Sequence, residues 1–253
     1  MSGNVGVALG LTAAAGLSTT VGSLFALVVK EPGRRFMGFT LGFSAGVMIL
    51  ISFVALLAES IESIKFLPAH LAFFMGMGGI FLIDILVPHE YIAEEEASEG
   101  PRLERLKRTG LLVAFGIGIH NFPEGMATFA GALKDVHLGL AIAVAIAIHN
   151  IPEGLAVATP VYAATGSRRK AFFWSFLSGV SEPTGACLAA LVLLPFLTPT
   201  VLAWVMAGVA GIMVAIALDE LMPAAKSYGS AHMPILGAIS GMLVMAVSLW
   251  LLR

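Results

Sequence analysis

Residues 138–161 read LGLAIAVAIAIHNIPEGLAVATPV, and this stretch decides the fold class of the chain. A run of about 20 predominantly apolar residues is what an α-helix needs to cross the ~30 Å hydrocarbon core of a bilayer. The middle of this run nevertheless holds His149, Asn150 and Glu153. The sequence therefore predicts a membrane-spanning helix that carries polar groups into the middle of the bilayer.

The composition of the whole chain supports a membrane protein. Of its 253 residues, 58% are hydrophobic and 12% are charged, whereas about 25% of the residues in a typical soluble domain are charged. A soluble protein of this length could not bury so much apolar surface in one core. The single cysteine, Cys187, excludes an intrachain disulfide and a thiolate metal cluster. We predict one all-α domain over residues 1–253, surrounded by lipid and without a nucleic-acid partner.

Eight apolar stretches have the length of a membrane-spanning helix, which predicts a polytopic protein with eight transmembrane helices. They cover residues 5–29, 36–58, 68–88, 110–132, 138–161, 171–193, 200–222 and 233–252.

Lysine and arginine residues are distributed unevenly among the connecting segments. Three lie on one side of the predicted membrane: Lys65, Lys134 and Arg253. The other eleven lie on the opposite side, namely Lys30, Arg34, Arg35, Arg102, Arg105, Lys107, Arg108, Arg168, Arg169, Lys170 and Lys226. Basic residues are enriched in cytoplasmic loops. We therefore expect both termini outside and the loop at residues 89–108 inside the cell.

The cluster at His149 has a counterpart in the preceding span, where HNFPEG begins at His120. In both copies the histidine and the glutamate are four residues apart, so they project from one face of a helix. The proline between them removes a backbone donor and predicts a kink. Glu182, in the sequence SEP of the following span, lies at a similar depth. Each carboxylate costs at least about 2.5 kcal/mol at the bilayer centre, which indicates function rather than packing.

A cation from outside the chain is the natural partner of three intramembrane glutamates, because no lysine or arginine lies near their depth in the sequence. Imidazole, carboxylate and amide groups without thiolate suit a divalent metal such as Zn²⁺, Fe²⁺, Mn²⁺ or Cd²⁺. Ca²⁺ and Mg²⁺ prefer ligand sets made only of oxygen. The candidate ligands exceed the four that one tetrahedral ion needs, which favours two neighbouring ions.

HNFPEG and HNIPEG on consecutive spans, SEP on the next and LDELMPAA on the seventh closely resemble the ZIP (Zrt-, Irt-like protein) metal transporters, nearest to the bacterial zinc permeases of that family. The resemblance implies uptake of Zn²⁺ across the bacterial inner membrane through a binuclear site, with spans one, four, five and six moving past the others. It also implies the ligands. The first ion would use His120, Glu124, His149 and Glu153, and the second Asn121, Glu124, Asn150, Glu153 and Glu182.

Further polar residues lie near the ends of the predicted spans. Those near the outer ends could attract cations or could simply be solvated helix termini: Glu59, Glu62, His70, Asp135 and His137. Those near the inner ends predict an exit path for the metal: Asp84, His89, Asp219 and Glu220. Ser52 either lines the route or packs between helices.

Two other classes of protein share some of these features. A metal-selective channel would use the same ligands without alternating access. An intramembrane metallohydrolase would need an H-E-x-x-H arrangement and an open coordination position, and neither cluster has that spacing. We therefore expect a transporter with no catalytic residue and no catalytic cofactor. The sequence leaves the preference among Zn²⁺, Cd²⁺, Fe²⁺ and Mn²⁺, proton coupling and a homodimer open.

Overall fold

The computed structural model of the protein describes residues 5–28, 33–86, 118–119, 121–193, 196, 198–229 and 231–251. These residues form helices joined by short turns, and none of them lies in a β-strand. The helices are α1 (Val5–Val28), α2 (Arg34–Ile64), α3 (Phe66–Leu86), α4 (121–134), α5 (Val136–Thr165), α6 (Arg168–Leu188, continued by a π-helical turn at Ala189–Leu193), α7 (Pro199–Ser227) and α8 (Met233–Leu251).

The all-α prediction is confirmed, whereas the prediction of eight spans is confirmed only in part. Within the described residues, six helices are long and apolar enough to cross a membrane: α1, α2, α3, α5, α7 and α8. The described part of α4 is too short for a full span, because residues 110–117 of the predicted span lie outside the described residues. The predicted loop at 89–108 also lies outside them.

Helices α2 and α7 continue furthest beyond the ends that their apolar stretches predict. Helix α2 was predicted to end at residue 58 and continues to Ile64, and α7 was predicted to end at residue 222 and continues to Ser227. At 31 residues and 1.5 Å per residue, α2 is longer than the ~30 Å apolar core requires. Hydrophobic length sets a minimum for such a helix, because its last turns can lie in the polar interface.

Among the described residues, three π-helical turns interrupt the α-helical pattern, and they were not predicted from the sequence. They lie at Ser52–Leu57 in α2, Ala189–Leu193 in α6 and Ala217–Leu221 in α7. Such turns widen a helix locally and are frequent near functional sites. The turn in α7 contains Asp219 and Glu220, two residues of the predicted exit path.

The helices pack in two bundles. In the first bundle, α1 packs along α5 and α6, and α5 also contacts α6. In the second, α2 packs along α8 while α3 packs along α7, and α7 contacts the π-helical part of α2. Helix α2 also packs against α5, and this contact joins the bundles. In the described part of the chain, α1, α5 and α6 therefore form one group and α2, α3, α7 and α8 form another.

Glycines bring the helices of the second bundle close together. A Cβ atom on Gly42 would lie 2.1 Å from the carbonyl oxygen of Pro234, and one on Gly241 would lie 2.1 Å from that of Phe43. Lipid tails are as apolar as leucine, so helices associate in a bilayer through such close packing of small residues. The glycines of α2 and α8 therefore form the packing face between these two helices.

Polar contacts show which helix ends lie together. Lys134 at the end of α4 forms an ion pair with Glu59 near the end of α2, with 2.5 Å between Nζ and Oε1. At the opposite end of α2, the Arg34 guanidinium donates to the carbonyl oxygens of Ser227, the last residue of α7, and of Tyr228, which follows it. Helices α2 and α7 are therefore antiparallel, and the ends of α2 and α4 share one side of the protein.

Candidate metal centre

Helix α5 supplies three residues of the candidate centre. His149, Asn150 and Glu153 lie near its middle, and the helix remains continuous through Pro152 and Pro160. The four-residue spacing places His149 and Glu153 on one face, and Asn150 is turned toward α1 and α6. A kink was predicted at Pro152. In the structure α5 does not end at this proline but continues to Thr165.

Polar contacts of His149 and Asn150 join α5 to three other helices, α4, α6 and α1. His149 Nε2 lies 3.3 Å from Oε2 of Glu124, which belongs to α4. Asn150 Nδ2 donates to Oε1 of Glu182 on α6, and it also lies 3.1 Å from the carbonyl oxygen of Ala15 on α1. Two carboxylates from different helices therefore lie beside one histidine–asparagine pair.

A further contact joins α4 to α6 directly. Asn121 Nδ2 donates to the carbonyl oxygen of Ser178 at 3.4 Å. Ser178 lies one helical turn before Glu182 on α6. The amide thus ties α4 to the helix that carries the third glutamate.

All six described residues of the predicted ligand set are fully buried: Asn121, Glu124, His149, Asn150, Glu153 and Glu182. Several of their oxygens have no hydrogen-bond partner among the described residues, including Oε1 of Glu124, Oε2 of Glu182 and the amide oxygens of both asparagines. Leaving a buried polar atom unsatisfied is costly. Carboxylate and amide oxygens of this kind can act as ligands for a divalent cation.

The glycine that ends each motif has a structural reason. A Cβ atom on Gly125 would lie 2.0 Å from the carbonyl oxygen of Glu182, and one on Gly154 would lie 1.8 Å from that of Thr19. These glycines let α4 approach α6 and let α5 approach α1 closely enough for the polar side chains to meet. This role was not predicted from the sequence, although the glycine that follows the glutamate in each motif was the available signal.

The second bundle reaches the centre through Ser44, a residue that the sequence analysis missed. This serine of α2 is fully buried, and its Oγ lies 3.3 Å from Oε1 of Glu153 and 3.2 Å from the carbonyl oxygen of His149. It lies between Gly42 and Gly46, and such a series of small residues is typical of helix packing in a membrane. No sequence pattern distinguishes it from the other buried serines of this helix.

The described side chains do not complete a coordination sphere. Among the described residues, no three histidine, cysteine, aspartate or glutamate side chains are arranged to hold one ion together. His120, the predicted fourth ligand of the first ion, lies outside the described residues. All of the other six predicted ligands are buried. Glu124 contacts His149 and Glu182 contacts Asn150, whereas Glu153 contacts Ser44 and Asn121 contacts the backbone of Ser178.

Residues predicted near the outer ends fall into two groups. Asp135 caps α5 by accepting a hydrogen bond from the Leu138 amide at 2.9 Å. This contact supports the alternative that Asp135 is part of a helix terminus. In contrast, Glu59, Glu62 and His137 line a cavity of about 330 Å³ between α2, α5 and α8. This cavity lies on the α2–α5 seam, about two and a half helical turns from His149 along α5.

The predicted exit residues lie apart from this region. Asp219 is exposed and Glu220 is half-buried, and both line a mostly apolar cleft of about 320 Å³ between α3 and α7. The side chain of Asp84 and the whole of His89 lie outside the described residues. The cleft does not include any of the six described ligands among its lining residues. Ser52 donates within its own helix to the carbonyl oxygen of Met48, so its hydroxyl has a packing role here.

A bundle of long apolar helices with three buried glutamates, a histidine and two asparagines in its interior defines a multi-pass membrane protein with an intramembrane polar site. The family model described as ZIP Zinc transporter matches residues 87–249, and the chain belongs to this family. The family is one of transporters rather than enzymes.

Curated relatives match the chain over nearly its full length. It is 52% identical to the zinc transporter ZupT of Nitratidesulfovibrio vulgaris, over 98% of both chains. It is 53% identical to that of Chlorobium limicola, over 98% of this chain and 99% of the relative. Identity to the zinc transporter ZupT of Streptococcus mutans is 49%, over 99% of both chains.

Proposed function

We propose that this protein takes up divalent transition metal ions, Zn²⁺ foremost, into the cytoplasm by alternating access. Membership of the ZIP zinc transporter family and about 50% identity to several ZupT zinc transporters support transport of a divalent metal. One structural observation supports the proposed location of the site. Three glutamates from α4, α5 and α6 are fully buried in the same region, beside a buried histidine and two buried asparagines.

The buried carboxylates of this region favour binding of a cation. The described partners of Glu124 and Glu182 are His149 and Asn150, neither of which carries a fixed positive charge. Buried carboxylates without cationic compensation are strongly unfavourable. A divalent ion would supply the missing charge and would use the carboxylate and amide oxygens that lack hydrogen bonds.

We further propose that the centre binds two ions. His120, Glu124, His149 and Glu153 hold the first, whereas Asn121, Glu124, Asn150, Glu153 and Glu182 hold the second. Glu124 and Glu153 then bridge the two positions. Two contacts support this division. Glu124 contacts His149, and both are ligands of the first proposed position; Glu182 contacts Asn150, and both are ligands of the second.

The two bundles suggest how access alternates. Helices α4, α5 and α6 contribute all of the proposed ligands. Helix α1 packs along α5 and α6, while α2, α3, α7 and α8 form the surrounding bundle. In such a transporter one bundle moves against the other around a site near the bilayer midplane. We propose that the first bundle carries the metal past the second, across the contact between α2 and α5, in an elevator-type motion.

The proposal includes an orientation in the bacterial inner membrane, with both termini outside. The cavity lined by Glu59, Glu62 and His137 then faces outward and would concentrate cations electrostatically. The proposed exit path along Asp84, His89, Asp219 and Glu220 faces inward. Imidazole among oxygen ligands favours Zn²⁺ and Cd²⁺, with Fe²⁺ and Mn²⁺ accepted less well.

Uptake of radiolabelled zinc into proteoliposomes tests this function. We expect zinc-dependent uptake that saturates and that cadmium inhibits more strongly than iron or manganese. Excess magnesium should leave zinc uptake nearly unchanged, because it prefers an all-oxygen site. Flux that rises linearly with zinc concentration would support a channel, and proteoliposomes that take up no zinc above empty vesicles would contradict the proposal.

A further inference from the structure

Ser44 occupies an unusual position, since it belongs to the second bundle but contacts the ligand-bearing helix of the first. Its side chain is fully buried. Its hydroxyl lies within hydrogen-bond distance of the Glu153 carboxylate, at 3.3 Å, and of the His149 carbonyl oxygen, at 3.2 Å. A hydroxyl has one proton to donate, so these two acceptors share it.

The packing of α2 explains why this hydroxyl points to the centre. Gly42 and Gly46 contact α8, where added Cβ atoms would lie 2.1 Å from the carbonyl oxygens of Pro234 and Ala238. Ser44 is two residues from each glycine, and at 3.6 residues per turn it therefore lies on the opposite face of the helix. That face packs against α5. The glycines thus anchor α2 on α8 and leave Ser44 directed at Glu153.

We propose that Ser44 is a positioning residue of the second bundle, which orients the Glu153 carboxylate for metal binding in this arrangement of the bundles. This inference rests on the proposed function, because it assigns a role to Ser44 only if Glu153 binds the transported ion. Ser44 acts through Glu153. Its hydrogen bond to Oε1 holds the carboxylate in one rotamer and leaves further lone pairs of the carboxylate for a cation.

The contact also couples metal affinity to the relative position of the bundles. If α5 moves along α2 by one helical turn, about 5.4 Å, the hydroxyl can no longer reach the same carboxylate. Glu153 is then held less firmly, and the centre binds metal more weakly. Ser44 would therefore make the site tighter in the present arrangement than in the alternative one, which is what a carrier needs to release its ion.

The test compares Ser44→Ala, Ser44→Thr and a matched control, Ser60→Ala. Ser60 lies in the same helix, is almost fully buried and donates only to the backbone of its own helix, at Leu56. Initial rates of zinc uptake into proteoliposomes are measured as a function of zinc concentration. The affinity of each purified protein for zinc is measured separately by competition with a chelating dye.

We expect Ser44→Ala to raise the half-saturating zinc concentration about three- to tenfold, as expected for the loss of one long, shared hydrogen bond to a carboxylate. Its maximal rate should stay within about twofold of the wild type. The dye competition should show the same loss of affinity. Ser44→Thr keeps the hydroxyl and should restore most of the affinity, and Ser60→Ala should resemble the wild type.

Two results would overturn the inference. One is an unchanged zinc affinity in Ser44→Ala, by both uptake and dye competition. The other is an equal loss in Ser44→Ala and Ser60→Ala, which would show that any buried hydroxyl of α2 is needed for stability alone. A wild-type protein that neither binds nor transports zinc would instead contradict the proposed function, so the two failures are distinguishable.

Discussion

Asn150 shows how much of this centre depends on single side chains. Its amide nitrogen donates to a carboxylate of α6 and lies within hydrogen-bond distance of a backbone carbonyl of α1, so one residue fixes three helices. Its amide oxygen has no described hydrogen-bond partner. In the proposed centre that oxygen is a metal ligand, and the nitrogen holds it in place. The side chain is therefore both a ligand and a structural tie.

The binuclear arrangement makes a prediction about two glutamates. Glu124→Ala removes a ligand of both proposed positions and should leave little or no bound metal, since each ion loses a charged ligand. Glu182→Gln affects only the second position and should leave one ion per protein. Elemental analysis of purified protein gives the bound zinc, beside uptake for each variant.

His149→Ala serves as a comparison, because it should weaken the first position and spare the second. If Glu124→Ala kept its full complement of zinc and near-normal transport, the metal centre would lie elsewhere in the protein.

Helix-to-helix distance matters as much as ligand identity at the scale of the elements. The motif glycines allow backbone contacts that no other residue would allow, because an added Cβ atom would lie 2.0 Å or less from a backbone oxygen of the neighbouring helix. We expect Gly154→Ala to destabilise the protein by about 1–3 kcal/mol, the usual cost of overpacking. It should also weaken zinc binding, since α5 must move away from α1.

Gly10→Ala is the matched control, because an added Cβ atom there has no neighbour within 4 Å. Thermal unfolding in detergent, followed by circular dichroism, gives the stability of each variant. A Gly154→Ala protein as stable as Gly10→Ala, with unchanged zinc affinity, would show that α1 and α5 are less tightly constrained than the structure indicates.

The sequence predicted the type of the elements better than their details. The apolar run around His149 predicted a continuous helix, and α5 is one. The family resemblance implied that both motifs contribute ligands to one site, and in the structure Glu124 of α4 lies 3.3 Å from His149 of α5. The extension of α2 through Glu62 was missed, because hydropathy detects the lipid core and not the interface. Ser44 was missed because its role depends on how α2 packs between α8 and α5. A local sequence pattern does not predict this packing.

Different kinds of contact operate within and between the bundles at the scale of the whole molecule. Within the second bundle, glycines bring backbones together. Polar side chains join the bundles, Ser44 to Glu153 at the centre and Lys134 to Glu59 near one end. An ion pair or a hydroxyl contact is more easily exchanged than an interlocked backbone. This difference favours rigid bundles that move relative to each other.

The ion pair between Glu59 and Lys134 provides a test of that motion. Both side chains are about one-third exposed, and such a pair contributes about 0.2–1 kcal/mol, or less than about a fivefold change in an equilibrium. If the pair separates when the bundles move, Lys134→Met and Glu59→Gln should each increase the maximal uptake rate by up to that factor. The reversed pair, Glu59→Lys with Lys134→Glu, should return the rate toward the wild type.

Uptake at saturating zinc separates this effect from attraction of the ion to the outer cavity. High salt should reduce the difference between the variants, because partly exposed charges are screened. A reversed pair that behaves as the sum of the two single changes would argue against a link between the bundles at this position.

The proposed direction of transport depends on how the protein is oriented in the membrane, and this orientation can be tested separately. Eleven of the 14 basic residues lie on the side predicted to be cytoplasmic. The structure groups the helix ends consistently, since the exposed Ser63 lies near the Glu59–Lys134 pair, at the end of α2 away from Arg34. In a Cys187→Ser background, Ser2→Cys and Ser63→Cys should react with an impermeant thiol reagent in intact cells. Ser98→Cys should react only after permeabilisation. Labelling of Ser98→Cys but not of the other two from outside would reverse the assigned direction, so that the cavity at Glu59 would face the cytoplasm and the cleft at Asp219 would face outward.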